Sequence, residues 1–166
     1  MPKRSDRRVT RTRKGDFQLR LPQGERDILR SLPGQLRELL TTDDPALERL
    51  FPPAYQDDPA GNQEYEELMR PDLTAGHLTS IDVMEATIDA ERLDEDQLVA
   101  WLGALNDLRL VLGTKLDVTE ELYDEGLPEG DPRLPAFSLY VYLGWLQEQV
   151  VEALGSGLDP AGSERP

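Results

Sequence analysis

Three carboxylates repeat at helical spacing in the middle of the sequence, and the chemistry that such a repeat supports is metal binding. Asp82, Glu85 and Asp89 would lie on one flank of a helix. Metal sites in helical bundles normally add a Glu-x-x-His element from other helices, and no such element contains the single histidine, His77. We therefore interpret the carboxylates as a solvated helix face and predict neither a metal site nor a cofactor.

The residues that nucleophilic catalysis requires are also missing from the sequence. There is no cysteine, which excludes thiol catalysis, thiolate metal ligands and disulfides. There is no Gly-rich phosphate loop and no G-x-S-x-G motif. A general base needs an orienting partner and a cleft, and none is evident for His77, so we interpret it as a surface or helix-end residue. We predict a protein without catalytic residues, and therefore not an enzyme.

Polar residues inside two apolar stripes form a different candidate site. The stretch WLGALNDLRLVLGTKLDVTEE, residues 101–121, has helical periodicity, and Arg109 falls inside its apolar stripe with Asn106 at the edge. Asp107 points the opposite way, so we expect it to be exposed to solvent. In the last predicted helix, Gln147 falls among apolar residues. The sequence therefore predicts a partly buried polar network of Asn106, Arg109 and Gln147.

Two interpretations of this network remain open. A buried guanidinium needs acceptors for its donors, and Glu85 or Glu148 would supply a carboxylate. The network would then be a device that fixes the packing of two helices. The alternative is a small-molecule pocket centred on Arg109.

The charge of the chain is unevenly distributed. Residues 1–20 contain eight basic and two acidic residues, whereas the rest of the chain contains ten basic and 31 acidic residues. A basic arm of this kind is suited to nucleic acid or to an acidic partner. The alternative is a solvated tail that lies against the protein's own acidic surface. The candidate binding residues are Lys3, Arg4, Arg7, Arg8, Arg11, Arg13 and Lys14.

A strand pattern runs through the end of this basic arm. Phe17, Leu19 and Leu21 alternate with polar residues, which is the period of a half-buried strand. Residues 9–12 suit a preceding strand, and Lys14-Gly15-Asp16 suits the turn between them. We predict a β-hairpin whose apolar side packs on the helical body and covers Trp145.

From Pro22 onwards the hydrophobic period becomes helical. Helix starts are predicted at the N-cap residues Asp44, Asp58 and Asp94, the last with Gln97 in a near capping box. At Pro33-Gly34 either one kinked helix or two short helices are predicted, because proline removes a backbone hydrogen bond, and a break is predicted near Pro71. This break would divide residues 59–92 into two helices.

These patterns predict a mainly α protein, a helical bundle of about five helices with an N-terminal β-hairpin. We predict a single domain over residues 1–155, in which residues 1–21 are the basic arm and hairpin and residues 22–155 the helical body. Residues 156–166 are rich in Gly, Ser and Pro and are predicted to be a disordered tail. No apolar run reaches the roughly 18 residues of a membrane span, so the expected location is the cytoplasm.

Three blocks of the sequence resemble an actinobacterial family of unknown function that includes AosR-type oxidative-stress regulators. The blocks are WLGALNDLRLVLGTKLDVTEE, RLFPPAYQDDP and YLGWLQEQVVEAL, and together they place the resemblance over most of the chain. The resemblance implies a regulatory or adaptor protein, encoded beside the protease adaptor ClpS. It also implies a redox switch built on a Cys-x-x-x-C motif and a sigma-factor partner, but this chain has no cysteine, so the switch does not carry over.

The functional prediction is therefore a non-enzymatic regulatory protein, a transcription-associated protein-interaction module with a protein partner. Weak nucleic-acid contact through the basic N-terminus is part of this prediction. The alternatives are an adaptor in regulated proteolysis and a small-molecule-binding protein with a pocket at Arg109.

Overall fold

The predicted hairpin is present in the computed structural model, which describes residues 6–51 and 57–157. Strand β1 (Val9–Arg11) pairs antiparallel with β2 (Phe17–Leu19). The turn between them is closed by the Thr12 amide, which donates to the Asp16 carbonyl at 2.8 Å. Gly15 in this turn has φ +94°, a conformation that glycine adopts without strain.

A third strand, which the sequence did not predict, completes the sheet. Strand β3 (Arg92–Leu93) pairs antiparallel with β2, with Phe17 opposite Leu93, and the strand order is β1-β2-β3. The prediction that residues 59–92 are helical is therefore wrong for the end of that range, because Arg92 lies in β3. A two-residue strand has no detectable periodicity, because its identity depends on a partner that is distant in sequence.

Six α-helices form the described part of the body, and the predicted fold class is confirmed. They are α1 (Gln23–Arg30), α2 (Leu32–Leu39), α3 (Pro59–Ala86), α4 (Glu95–Leu116), α5 (Glu120–Glu125) and α6 (Leu134–Gly155), with a 3₁₀ helix at Pro45–Leu47. None of the described helices is long and apolar enough to cross a bilayer.

The predicted helix starts are confirmed by their caps. Asp44 accepts a hydrogen bond from the Ala46 amide, and Asp58 accepts one from the Gly61 amide. Asp94 and Gln97 form a reciprocal capping box, which satisfies two amide donors that an uncapped helix leaves free.

Pro33 and Pro71 have different effects. The first helical segment is divided at Ser31, and Pro33 lies in the first turn of α2, where a missing amide costs nothing. Pro71, by contrast, lies inside the continuous helix α3, so the predicted break near it is wrong. Pro71 is exposed, and solvent is able to hydrate the carbonyl that lacks its helical partner.

Helix α4 is the centre of the body, because it packs against both α3 and α6. Its side chains Leu98, Trp101 and Leu105 are fully buried. The hairpin contributes to the same core through Phe17 and Leu19, which are 0% and 2% exposed. The single domain predicted over residues 1–155 remains a prediction, and most of the predicted tail (158–166) lies outside the described residues.

Candidate interaction surface

Arg8, one of the basic residues predicted to bind a partner, is held by the protein itself. Its guanidinium makes a two-pronged contact with the Glu25 carboxylate, with distances of 2.9–3.2 Å, and lies 5.1 Å from the centre of the Trp145 ring. Tyr142 donates its hydroxyl to Glu25 at 2.7 Å. Burial and the adjacent Glu25 raise the pKa of Tyr142, so its hydroxyl remains a donor. Arg8 therefore anchors the hairpin to α1 and α6.

Arg11 has a second structural role. Its Nη2 donates to the Leu154 carbonyl at 3.2 Å, one of the carbonyls that the end of α6 leaves without a helical partner. Its guanidinium carbon lies 4.7 Å from the centre of the Phe17 ring. A positive charge at a helix C-terminus also opposes the negative end of the helix dipole. Arg11 therefore fastens β1 to the end of α6.

The remaining described members of the basic set are exposed. Arg7, Arg13 and Lys14 are solvent-exposed, and none of the ion pairs in the described part of the chain involves them. Lys3 and Arg4 lie outside the described residues. The structure therefore divides the predicted set into two internal anchors and three residues that are free to meet a partner.

The outer face of α6 beside this hairpin is apolar and aromatic. Val141, Trp145 and Val151 are 37%, 38% and 51% exposed, and Tyr123 of α5 is 50% exposed. They line one recess of about 580 Å³, together with the acidic side chains Glu148 and Glu152, the polar side chains Arg109 and Gln147, and Gly144. Arg8 of the hairpin lies over Trp145, but Trp145 remains 38% exposed, so the cover is less complete than the sequence predicted.

Arg109 lies in this recess, and the structure places Asn106 and Gln147 beside it. Arg109 Nη1 lies 3.5 Å from Gln147 Oε1, and Gln147 Nε2 donates to Asn106 Oδ1 at 3.3 Å. Arg109 Nε is buried without a hydrogen-bond partner. A Cβ at Gly144 would lie 3.3 Å from that Nε, so a glycine at this position lets α6 approach the guanidinium closely.

No carboxylate of the described chain pairs with Arg109, which corrects both suggested partners. Glu85 is bound to Arg37 at 3.1 Å, and Glu148 lines the recess without forming an ion pair. Arg109 lies instead over the Tyr140 ring, 5.4 Å from its centre. This contact is favourable, because the face of the ring carries partial negative charge and attracts the guanidinium cation.

Asp107 and His77 are placed differently from their predictions. Asp107 is 5% exposed, and its Oδ2 lies 2.6 Å from His77 Nδ1. His77 Nε2 lies 3.2 Å from the Leu50 carbonyl. Asp107 was predicted to face solvent because it lies opposite the Leu98 stripe, but α4 buries that side as well against α3. His77 is half-buried rather than a surface residue.

This pair joins three elements through one imidazole. Both neighbours of the His77 ring are hydrogen-bond acceptors when the Asp107 carboxylate is ionised, so both bonds form only when the ring carries two protons. The pair therefore links α3 to α4 and to the segment after the 3₁₀ helix. The sequence contains an indication that Asp107 is buried. A second apolar stripe flanks it, formed by Trp101, Ala104, Leu108 and Val111.

The stability of the protein should depend on pH through His77. The hydrogen bond to Asp107 raises the pKa of His77 above its ordinary value of 6.5. The folded state then holds this proton more tightly than the unfolded state does, so the stabilisation is complete below about pH 6.5 and is lost as the pH rises through the folded-state pKa. We expect the free energy of unfolding to fall over that interval in the native protein. Urea denaturation at several pH values measures it, and the fall should be absent from His77→Gln.

The described residues include an exposed surface on α6 that is suited to binding. No group of three His, Asp or Glu side chains in the described ranges is placed to hold a metal ion. The histidine and its carboxylate lie among core contacts, away from the recess on α6. The exposed chemistry is concentrated on α6 and the hairpin, where apolar, aromatic and basic groups lie side by side.

Comparison with known proteins defines the class. A family model described as a domain of unknown function, DUF2017, matches residues 6–154. The chain therefore belongs to this family, and the resemblance to the AosR-like actinobacterial proteins is confirmed. No solved structure gives a significant match.

Named relatives come from mycobacteria. The oxidative stress regulator AosR of Mycobacterium tuberculosis is 31% identical over 129 residues, which cover 67% of this chain and 58% of that protein. The protein of the same name from Mycobacterium bovis has the same identity and coverage. The chain thus spans less than three-fifths of the length of these relatives.

Proposed function

We propose that this protein is a non-enzymatic regulator that acts in transcription by binding a protein partner. The similarity to proteins named oxidative stress regulators supports a regulatory role. The relatives are longer than the matched region, so their whole activity is not assigned to this chain. The redox element of that role would need another sensor here, because this chain contains no cysteine.

The observation that carries the proposal is the exposed apolar face of α6. Trp145 and Val151 lie in one recess with Tyr123, and large aromatic side chains are enriched in protein–protein interfaces. Arg109 and Gln147 add polar groups to the lining of this recess, so a partner would meet hydrogen-bonding groups as well as apolar ones. The acidic groups Glu148 and Glu152 at the recess would repel nucleic-acid phosphates, which favours a protein as the partner.

The same recess favours a second candidate function. A small molecule with a carboxylate or carbonyl group would meet Arg109 beside the Trp145 ring. An adaptor role in regulated proteolysis is a further proposal, and it rests on the family resemblance alone. For the exposed basic residues of the hairpin, direct contact with nucleic acid is a weaker proposal than contact with a protein partner.

Replacing Trp145 with alanine should weaken binding to RNA polymerase holoenzyme by about thirtyfold, since an aromatic residue central to an interface is often worth about 2 kcal/mol. Val151→Asp should weaken it as well, because it places a charge in the apolar recess. Biolayer interferometry with purified holoenzyme and immobilised protein measures both effects.

Val99→Asp is the matched control. Val99 on α4 is 51% exposed, as Val151 is, but it does not line the recess. The Val99→Asp variant should bind the holoenzyme as tightly as the native protein does. Absence of holoenzyme binding by the native chain, or equal binding by all variants, would contradict the proposal. Binding to purified ClpS instead would assign the protein to regulated proteolysis.

A further inference from the structure

We infer that the outer edge of β1 is a docking site for an extended, acidic segment of a partner protein, which adds to the sheet as a fourth strand. The inference rests on the proposed function in one respect, namely that the partner is a protein. It concerns a different surface, the open strand edge beside α6, and it specifies the chemistry of what binds there.

The backbone of β1 has an unpaired side. The Arg8 carbonyl accepts from the Arg20 amide at 2.7 Å, and the Thr12 amide donates to the Asp16 carbonyl at 2.8 Å, so these two groups face β2. Orientation alternates along an antiparallel strand. Val9 and Arg11 therefore direct their amides and carbonyls away from β2, toward the open edge.

A groove lies along this edge. It has a volume of about 400 Å³ and is walled by the β1 segment on one side and by Gln149 and Ala153 of α6, with Ser156 just after it, on the other. Strand addition at an exposed sheet edge is a recurring mode of peptide recognition, in which the backbone supplies the hydrogen bonds. The groove gives such a segment a surface to lie on as well as an edge to pair with.

The edge is fixed before any partner arrives. The Arg8 amide donates to Gln149 Oε1 at 2.6 Å, and Arg11 is bound to the Leu154 carbonyl. Because these contacts already order β1 against α6, a docking segment does not have to order the receiving strand. Pre-ordering of this kind reduces the entropic cost of association.

The charge at the edge selects the occupant. Arg7 precedes β1, and Arg13 and Lys14 follow it, and all three are exposed without an ion pair in the described part of the chain. Glu152 is the acidic member of the groove lining. Three positive groups around one open edge favour an acidic strand. They oppose edge-to-edge pairing of two copies, since like charges would then face each other.

Fluorescence anisotropy with a labelled peptide of eight alternating Glu and Val residues tests the inference. The native protein should bind this probe, and binding should weaken as salt is raised. The same peptide with its interior amides N-methylated keeps its charge but loses the donors that a strand requires. It should bind at least about tenfold more weakly, the loss expected when a few backbone hydrogen bonds cannot form.

Arg7→Glu combined with Arg13→Glu should also weaken binding of the unmodified peptide about tenfold, because two exposed attractions become repulsions. Arg20→Glu combined with Arg49→Glu is the control. It makes the same change in net charge at exposed residues that do not line the groove, and it should leave binding nearly unchanged. Circular dichroism verifies that both variants keep their helix content.

Equal binding of the methylated and unmodified peptides would overturn strand addition, and equal losses in the two variants would overturn the charge selection. Tighter binding of a 20-base-pair duplex, competing with the peptide, would show a phosphate-binding patch and overturn it too. The peptide assay contains no polymerase. Peptide binding without holoenzyme binding would therefore refute the proposed function alone, and the reverse result would refute this inference alone.

Discussion

Replacing His77 with alanine should lower the free energy of unfolding by about 3–5 kcal/mol, the usual cost of removing one member of a buried ion pair. The Asp107 side chain is 7% exposed, and in the variant its carboxylate would have no partner and little contact with water. The Leu50 carbonyl would also lose its donor. Urea denaturation at pH 6, below the ordinary histidine pKa of 6.5, measures the change.

Two further variants separate this effect from general destabilisation. Asp107→Asn should be milder than His77→Ala, because the amide retains an acceptor for the ring and leaves no buried charge. Asp89→Ala breaks the exposed pair with Arg30 and should leave the urea midpoint unchanged, since exposed ion pairs contribute little. If His77→Ala behaved like Asp89→Ala, the pair would not be a stabilising contact.

The second large effect is expected at the hairpin. Phe17→Ala should cost about 3–5 kcal/mol, as truncation of a fully buried aromatic residue usually does. For a domain of this size the melting temperature should fall by roughly 10 °C. The reason is that Phe17 is 0% exposed, pairs with Leu93 of β3 and lies beneath Arg11. Differential scanning calorimetry measures the shift.

Phe17→Leu is the matched control, because it keeps most of the apolar volume, and it should cost clearly less than the alanine variant. Lys14→Ala in the neighbouring turn should have almost no effect, since Lys14 is exposed. A Phe17→Ala protein that melts at the native temperature would mean that the hairpin is not part of the cooperative core.

Features with local causes were predictable from the sequence. The caps at Asp44, Asp58 and Asp94 depend on residues within one helical turn, and the strand alternation around Phe17 depends on its immediate neighbours. Arg109 and Gln147 were recognisable because each interrupts an apolar stripe. Their proximity follows from the packing of α4 against α6.

Features that depend on distant partners were not predictable in the same way. His77 and Asp107 are 30 positions apart; the second apolar stripe of α4 indicates that Asp107 is buried, but nothing near either residue identifies the other as its partner. The interpretation of Asp107 failed because one apolar stripe was assigned to α4, whereas the helix is buried on two sides. In the sequence, Arg8 and Arg11 could not be distinguished from unpaired charges. Their acceptors, Glu25 and the Leu154 carbonyl, become neighbours only after the chain folds.

The attachment of β1 to α6 also has a consequence for the order of events during synthesis. The contacts from Arg8 to Gln149 and from Arg11 to Leu154 join residues 141 and 143 positions apart. A ribosome adding about 5–20 residues per second needs roughly ten to thirty seconds to supply the partners of this strand. Helices α1 and α2 are local and form as they emerge, whereas β1 remains without its contacts to α6. The nascent chain therefore carries β1 detached from α6 for most of its synthesis, and the arginines and lysine that flank β1 help to keep its open edge from pairing with other chains.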